Sequence, residues 1–161
     1  MITQEQANHT FDYKDGRLFW KSGVRSFFIG REVGTDAGNG YLKVTFKKKH
    51  YLIHRIIYLM HHGELPAIID HIDRNVKNNC ITNLRAADVS KNGMNSIPRK
   101  PSTTGCRNVT RELKRNKFAV HLRINGKSTF LGNYDDLELA DLVAIEARNK
   151  YHGKFAFQSR F

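Results

Sequence analysis

The sequence predicts an α+β protein: N-terminal β-hairpins leading into a compact strand–loop–strand–helix (ββα) unit, then a three-stranded antiparallel sheet packed on one helix. Three observations predict it. Alternating apolar and polar residues flank the pairs Asp15-Gly16 and Asn125-Gly126, and such pairs suit two-residue hairpin turns because both central positions take positive φ. Two stretches, near 54–62 and 135–151, change to a helical period. Between them, residues 97–104 hold two of the three prolines together with Ser102, Thr103 and Thr104, and read as a linker. The expected division is therefore 1–96, a linker at 97–104, and 105–161.

Taken in order, Phe11 and Tyr13 lead into Asp15-Gly16, and Leu18 and Trp20 leave it. Val24 to Asn39 is loop-like, broken by Gly30, Gly34 and Gly38. Gly40 to Phe46 alternates, placing Leu42, Val44 and Phe46 on one face. Lys47-Lys48-Lys49 turns the chain into Tyr51-Leu52-Ile53, either as a solvated turn or as a phosphate contact. A helix is expected from His54 to His62, stopped by Gly63. Ile68-Ile69 is a short strand ending on Asp70-His71; Arg74 to Asn79 is polar and turn-rich; Ile81 to Leu84 is a second extended piece. Asp88 caps a helix running towards Asn95. In the last third, strands are expected at 108–110, 118–124 and 129–131. Leu137, Ala140, Ala144, Ala147 and Tyr151 then form one face of a helix, with Asp135 and Glu138 as its capping box and Gly153 at its end.

Charge points to the partner. The chain carries a net charge of +12 with a pI near 9.9, the electrostatic footprint of a nucleic-acid binder. It is unevenly spread: +4 over residues 1–53, +1 over 54–96 and +7 over 97–161. A nearly neutral middle between basic flanks suits a site that binds a polyanion through the flanks and still holds a metal. Cys80 and Cys106 are the two cysteines, with no CxxC pair. That argues against a disulfide framework or a four-cysteine zinc site and fits a reducing cytoplasm. With no apolar run long enough for a membrane and no secretory start, the expected location is cytoplasmic, the host cytoplasm if the chain is phage-encoded.

The middle segment carries the chemistry. Asp70 stands beside His71; Asn83 follows 12 residues after His71, and Asn92 a further 9 on. A histidine, with an ordinary pKa of about 6.5, can take a proton from an attacking water near neutral pH. A bound divalent ion offsets the charge that builds on a phosphodiester, and Mg²⁺ needs only one or two protein oxygens. Asp70 with one asparagine carboxamide suffices, and another asparagine can hold the far nitrogen of His71. The same residues also suit capped turns and Asn-rich loops.

At His54-Arg55, Asp70-His71-Ile72-Asp73, Asn78-Asn79, Asn83-Leu84-Arg85, Asn92 and Asn95, the chain resembles the HNH nucleases, and most closely the homing-type HNH endonucleases of phage genomes and mobile introns. The likeness covers about residues 51–96. It implies a ββα-metal fold with one divalent cation, Mg²⁺ or Mn²⁺, and no small-molecule cofactor. It makes His71 the general base, Asp70 and Asn92 the metal ligands and Asn83 the residue that orients His71, with Asn95 as the substitute for Asn92. The implied activity is metal-dependent hydrolysis of double-stranded DNA by a monomer or weak dimer, one site per chain giving a nick. The alternative is a non-catalytic DNA-binding protein with an inert HNH module.

Residues 103–157 resemble the plant ethylene-response-factor DNA-binding domain. The matching pieces are Thr104-Gly105-Cys106-Arg107-Asn108-Val109, Lys117-Phe118-Ala119-Val120, Leu131-Gly132-Asn133-Tyr134 and Gly153-Lys154-Phe155-Ala156. That family lays a three-stranded sheet in the DNA major groove with a helix as backing. The likeness places Arg107, Lys117, His121, Arg123 and Lys127 against DNA, chiefly on phosphates. Alternation puts Lys117, Ala119, His121 and Arg123 on one face of the second strand and Phe118, Val120, Leu122 and Ile124 on the other.

Overall fold

The computed structural model describes residues 2–96 and 102–157. Most of the expected linker, 97–101, lies outside the described residues. Mixed α/β structure is observed, with four α-helices and several small antiparallel sheets among the described residues. The chain divides into two compact units, Met1–Asp88 and Val89–Phe161.

The first unit begins with α1 (Gln4–Thr10), a helix not expected from the sequence. Its seven residues are too few to show an apolar period. The start is nevertheless encoded: Thr3 accepts from the Gln6 amide while the Gln6 side chain accepts from the Thr3 amide, a reciprocal cap for two amides the helix leaves unpaired. Strands β1 (Phe11–Lys14) and β2 (Arg17–Trp20) form the expected hairpin, with Asp15 and Gly16 at φ of 47° and 81°. Gly16 is needed twice over, since a Cβ there would also lie 2.7 Å from the Cys80 amide nitrogen. The following loop contributes two very short strands. β3 (Glu32–Val33) adds to β2, while β4 (Thr35–Asp36) joins β5 (Leu42–Phe46) and β6 (Lys49–Leu52) in a second sheet.

Helix α2 (Ile53–His62) follows as expected, and Gly63 closes it in the left-handed conformation. Its apolar stripe, Ile53, Ile56, Ile57 and Leu59, is buried with Ala7, Phe11, Leu18, Val44, Ile69 and Leu84. That shared core fixes the two-stranded sheet of β7 (Ile68–His71) and β8 (Leu84–Ala87) through Ile69 and Leu84. Residues 81–83, expected to be extended, form a 3-10 turn, and the strand starts at Leu84 instead. The Cys80 carbonyl accepts from the Asn83 amide, and the Asn83 side chain is committed to the preceding loop, so the backbone cannot enter the ladder earlier.

In the second unit, α3 (Val89–Asn95) is followed by β9 (Val109–Glu112), β10 (Lys117–Ile124), β11 (Lys127–Tyr134) and α4 (Leu137–His152). The sheet order is β11-β10-β9, all antiparallel. Ala140 and Ala144 are fully buried against Val109 and Val120, their small side chains letting α4 lie close to the sheet. The cap of α4 is Asp136, which accepts from the Leu139 amide; Asp135, expected there, pairs with Lys117 instead. Ser102 and Thr104 are folded onto the sheet rather than loose, both hydroxyls donating to the Val109 carbonyl at 3.0 Å.

Candidate active site

Strand β7 delivers Asp70 and His71 side by side, and alternation along the strand sends their side chains to opposite faces. Asp70 is buried and faces Arg85 across the β7–β8 register. Arg85 donates from Nε and Nη2 to Asp70 Oδ2, at 2.8 and 2.5 Å. His71 is 4% exposed. Its Nε2 lies 3.1 Å from Asn79 Oδ1. Because Asn79 Nδ2 donates to the Lys77 carbonyl, the amide oxygen is the atom turned to the ring. Nε2 therefore carries the hydrogen, and the basic lone pair sits on Nδ1.

Two further rings pack against His71. His54, from the first turn of α2, is 5.2 Å away between centroids, and Tyr41 is 5.9 Å away. Burial, reinforced by the charges of His71 and Arg55, pushes the His54 imidazole down to about 4. At neutral pH His54 is thus uncharged, and it adds no positive charge next to His71.

Asn83 is buried in the same unit, and its carboxamide grips the loop that leaves His71. Oδ1 accepts from the Asp73 amide, while Nδ2 donates to Asp73 Oδ1 and to the Asn78 carbonyl, at 2.8–3.0 Å. The Asn83 carbonyl also accepts from the Ile72 amide. The hydrogen bond to the ring nitrogen that the sequence reading expected from Asn83 is made by Asn79. Asp73 gathers the rest of the loop. Partial burial works against its ionisation, but hydrogen bonds from Asn78, the Asn75 amide and Asn83 outweigh it and hold the carboxyl below its ordinary range.

Asn92 stands half-buried on α3, in the second unit, and Asn95 is buried there. The structure thus brings Asp70, His71 and Asn83 together in the first unit. Among the described residues, no group of three or more His, Cys, Asp and Glu side chains is placed to hold a metal ion. The Asp70 carboxylate is a hard oxygen donor, the kind a hydrated Mg²⁺ or Mn²⁺ accepts. Tyr41, His54, Asn79 and Arg85 are the contacts that sequence reasoning gave no role. Three of them stand in its quoted motifs, at His54-Arg55, Asn78-Asn79 and Asn83-Leu84-Arg85.

The basic residues of the second unit differ in their surroundings. Cross-strand pairing puts Lys117, His121 and Arg123 on the sheet face that also carries Ser128, Phe130 and Asn133. His121 stacks on Phe130 at 5.2 Å, Arg123 Nε donates to the Gly126 carbonyl, and Lys117 is paired with Asp135 at 3.2 Å. Lys127 is opposite Ile124, which turns it to the other face. The Arg107 guanidinium donates to the carbonyls of Gly93, Met94 and Ser96 at the end of α3 and covers the Phe157 ring at 4.3 Å. Its position complements the negative end of that helix. Below it, Arg148 is 2% exposed and donates to the Arg107 carbonyl.

The HNH endonuclease family matches residues 51–94, the segment from β6 into α3. An uncharacterized HNH endonuclease of Acanthamoeba polyphaga mimivirus is 30% identical over 107 residues, which are 65% of this chain and 54% of that protein. The chain thus spans about half the length of that relative. Protein 3.8 of Escherichia phage T7 is 31% identical over 98 residues, 58% of this chain and 78% of the phage protein. No solved structure matches the chain. No helix among the described residues is long and apolar enough to cross a membrane.

Proposed function

Because this chain belongs to the HNH endonuclease family, we propose that it is a metal-dependent DNA endonuclease with His71 as general base. In this reading β7, β8 and α3 make a ββα-metal module, and Asp70 and Asn92 hold one Mg²⁺ or Mn²⁺. The observation that carries it is the His71 ring, buried and fixed through Nε2 by Asn79, on the strand residue next to Asp70 within the family-matched segment.

Water that attacks a phosphodiester must lose a proton as negative charge builds on the phosphate. His71 Nδ1 takes that proton, because the hydrogen bond to Asn79 commits Nε2 as a donor and stabilises the imidazolium that results. His54, held neutral, spares the ring a second positive charge. Asn83 acts one step back by fixing the backbone that follows His71. The divalent cation, when bound, supplies the charge that offsets the developing phosphate oxyanion. Until then Arg85 neutralises Asp70.

The second unit is proposed as the DNA anchor. A three-stranded sheet backed by one helix supports the likeness to the ethylene-response-factor domain, and Lys117, His121 and Arg123 share the sheet face that would meet DNA. Lys127 would reach phosphates from the hairpin end, and Arg107 would serve chiefly to hold α3. One site per chain predicts nicking by a monomer or weak dimer, as in a homing-type enzyme.

Incubating supercoiled plasmid with the purified chain tests the activity. Nicked circles should accumulate with Mg²⁺ or Mn²⁺ and not with EDTA. The hold of Arg85 on Asp70 favours one second reading, a DNA-binding protein whose HNH module is inert. DNA binding without a cut under either metal would establish that reading.

A further inference from the structure

Residues 25–31 form a feature the catalytic reading does not use. Phe27, Phe28 and Ile29 are 65%, 43% and 51% exposed, three large apolar side chains in succession. Isolated exposed apolar residues are ordinary; a contiguous cluster signals a binding surface. The segment is firmly built. Ser26–Phe28 is a 3-10 turn in which the Phe28 amide donates to the Arg25 carbonyl and the Ile29 amide to that of Ser26. Its base is clamped to β2, with the Gly30 amide donating to the Trp20 carbonyl at 2.7 Å and the Trp20 amide to that of Arg31 at 3.0 Å. A turn bonded this way displays its rings at little further entropic cost when it binds.

The charge around the rings selects the partner. Arg25 and Arg31 flank the apolar triplet and are exposed. The Arg31 guanidinium carbon lies 3.6 Å from the centroid of Phe27, whose ring meets that of Phe28 edge-on at 5.4 Å. Glu32, the nearest acid in sequence, is paired with Arg17 at 3.4 Å. Two exposed rings, one of them under an arginine and both between arginines in sequence, suit a ligand with flat apolar faces beside a row of negative charges. Stacked bases between phosphates have that character. A second copy of a chain carrying +12 would instead set like charge against like.

We propose that this turn is a wedge that seats Phe27 and Phe28 against the base pairs of duplex DNA, with Arg25 and Arg31 on the adjoining phosphates. Partial unstacking would bend the duplex around the protein. The inference rests on DNA as the substrate of the proposed nuclease, and its test does not depend on cleavage.

Closed circular plasmid is relaxed by a metal-independent topoisomerase in EDTA with the full-length His71→Ala chain bound, and the linking number is read after the protein is removed. The wedge predicts a lowered linking number, lost when Phe27→Ala and Phe28→Ala are added and kept with Phe27→Trp. Anisotropy of a labelled duplex should show roughly ten-fold weaker binding for the double alanine variant. Both rings are exposed, so its thermal melting should be unchanged. An unshifted linking number, or the same shift without the rings, overturns the wedge. So does a variant that loses binding to anionic vesicles while its DNA binding stays intact, which would mark a membrane surface. A wedge that behaves as described in a wild-type chain that never nicks DNA would sink the nuclease reading alone.

Discussion

Arg85 donates two hydrogen bonds to one oxygen of Asp70 across the β7–β8 ladder, with the two side chains 12% and 7% exposed. Such a pair is costly to break on one side, because the remaining charge is left buried and uncompensated. Arg85→Ala should therefore destabilise the chain by about 3 kcal/mol or more. Adding Asp70→Asn should recover part of that loss. Urea unfolding of both single variants and the double variant gives the coupling; additive losses would show that the pair is not an interacting unit.

Asn79 and Asn83 should separate function from stability. Asn79→Ala removes the bond that fixes the His71 ring and should cut the nicking rate about 10- to 100-fold with DNA binding retained. Asn83→Ala deletes three side-chain hydrogen bonds in the 73–78 loop and should cost about 1–3 kcal/mol. Nicking kinetics set beside thermal melting checks both. A stable Asn83→Ala with normal activity would contradict the role assigned to the loop.

His54 makes stability depend on pH. Its folded-state pKa, about 4, lies below the value of 6.5 for an unperturbed group. The unfolded chain thus takes up this proton first as pH falls. The stability contribution is complete above pH 6.5 and is lost as pH drops from 6.5 towards 4, by up to about 3 kcal/mol. Urea midpoints measured at pH 7, 6 and 5 should decline in the wild type and decline less in His54→Phe. Equal slopes would remove His54 as the cause.

Legibility in the sequence followed how local each signal was. The hairpins at Asp15-Gly16 and Asn125-Gly126 were readable because positive φ at both positions is a local demand that these residues meet. Helix α2 was readable from its apolar stripe and Gly63. Helix α1 was too short for periodicity, and two adjacent aspartates at 135 and 136 made the cap of α4 ambiguous by one residue. At the site, Asp70 and His71 adjoin in the chain and could be found there. The grip of Asn79 on the ring, the pairing of Arg85 with Asp70 and the packing of Tyr41 and His54 depend on how α2, β7 and β8 share one core, which no spacing rule reports.

In the proposed mechanism His71 moves the proton. The most direct test compares wild type and His71→Ala on supercoiled plasmid in Mg²⁺, with DNA binding measured alongside. Loss of the imidazole should lower the nicking rate about 10²- to 10⁴-fold with binding unchanged. Undiminished nicking by His71→Ala would contradict it.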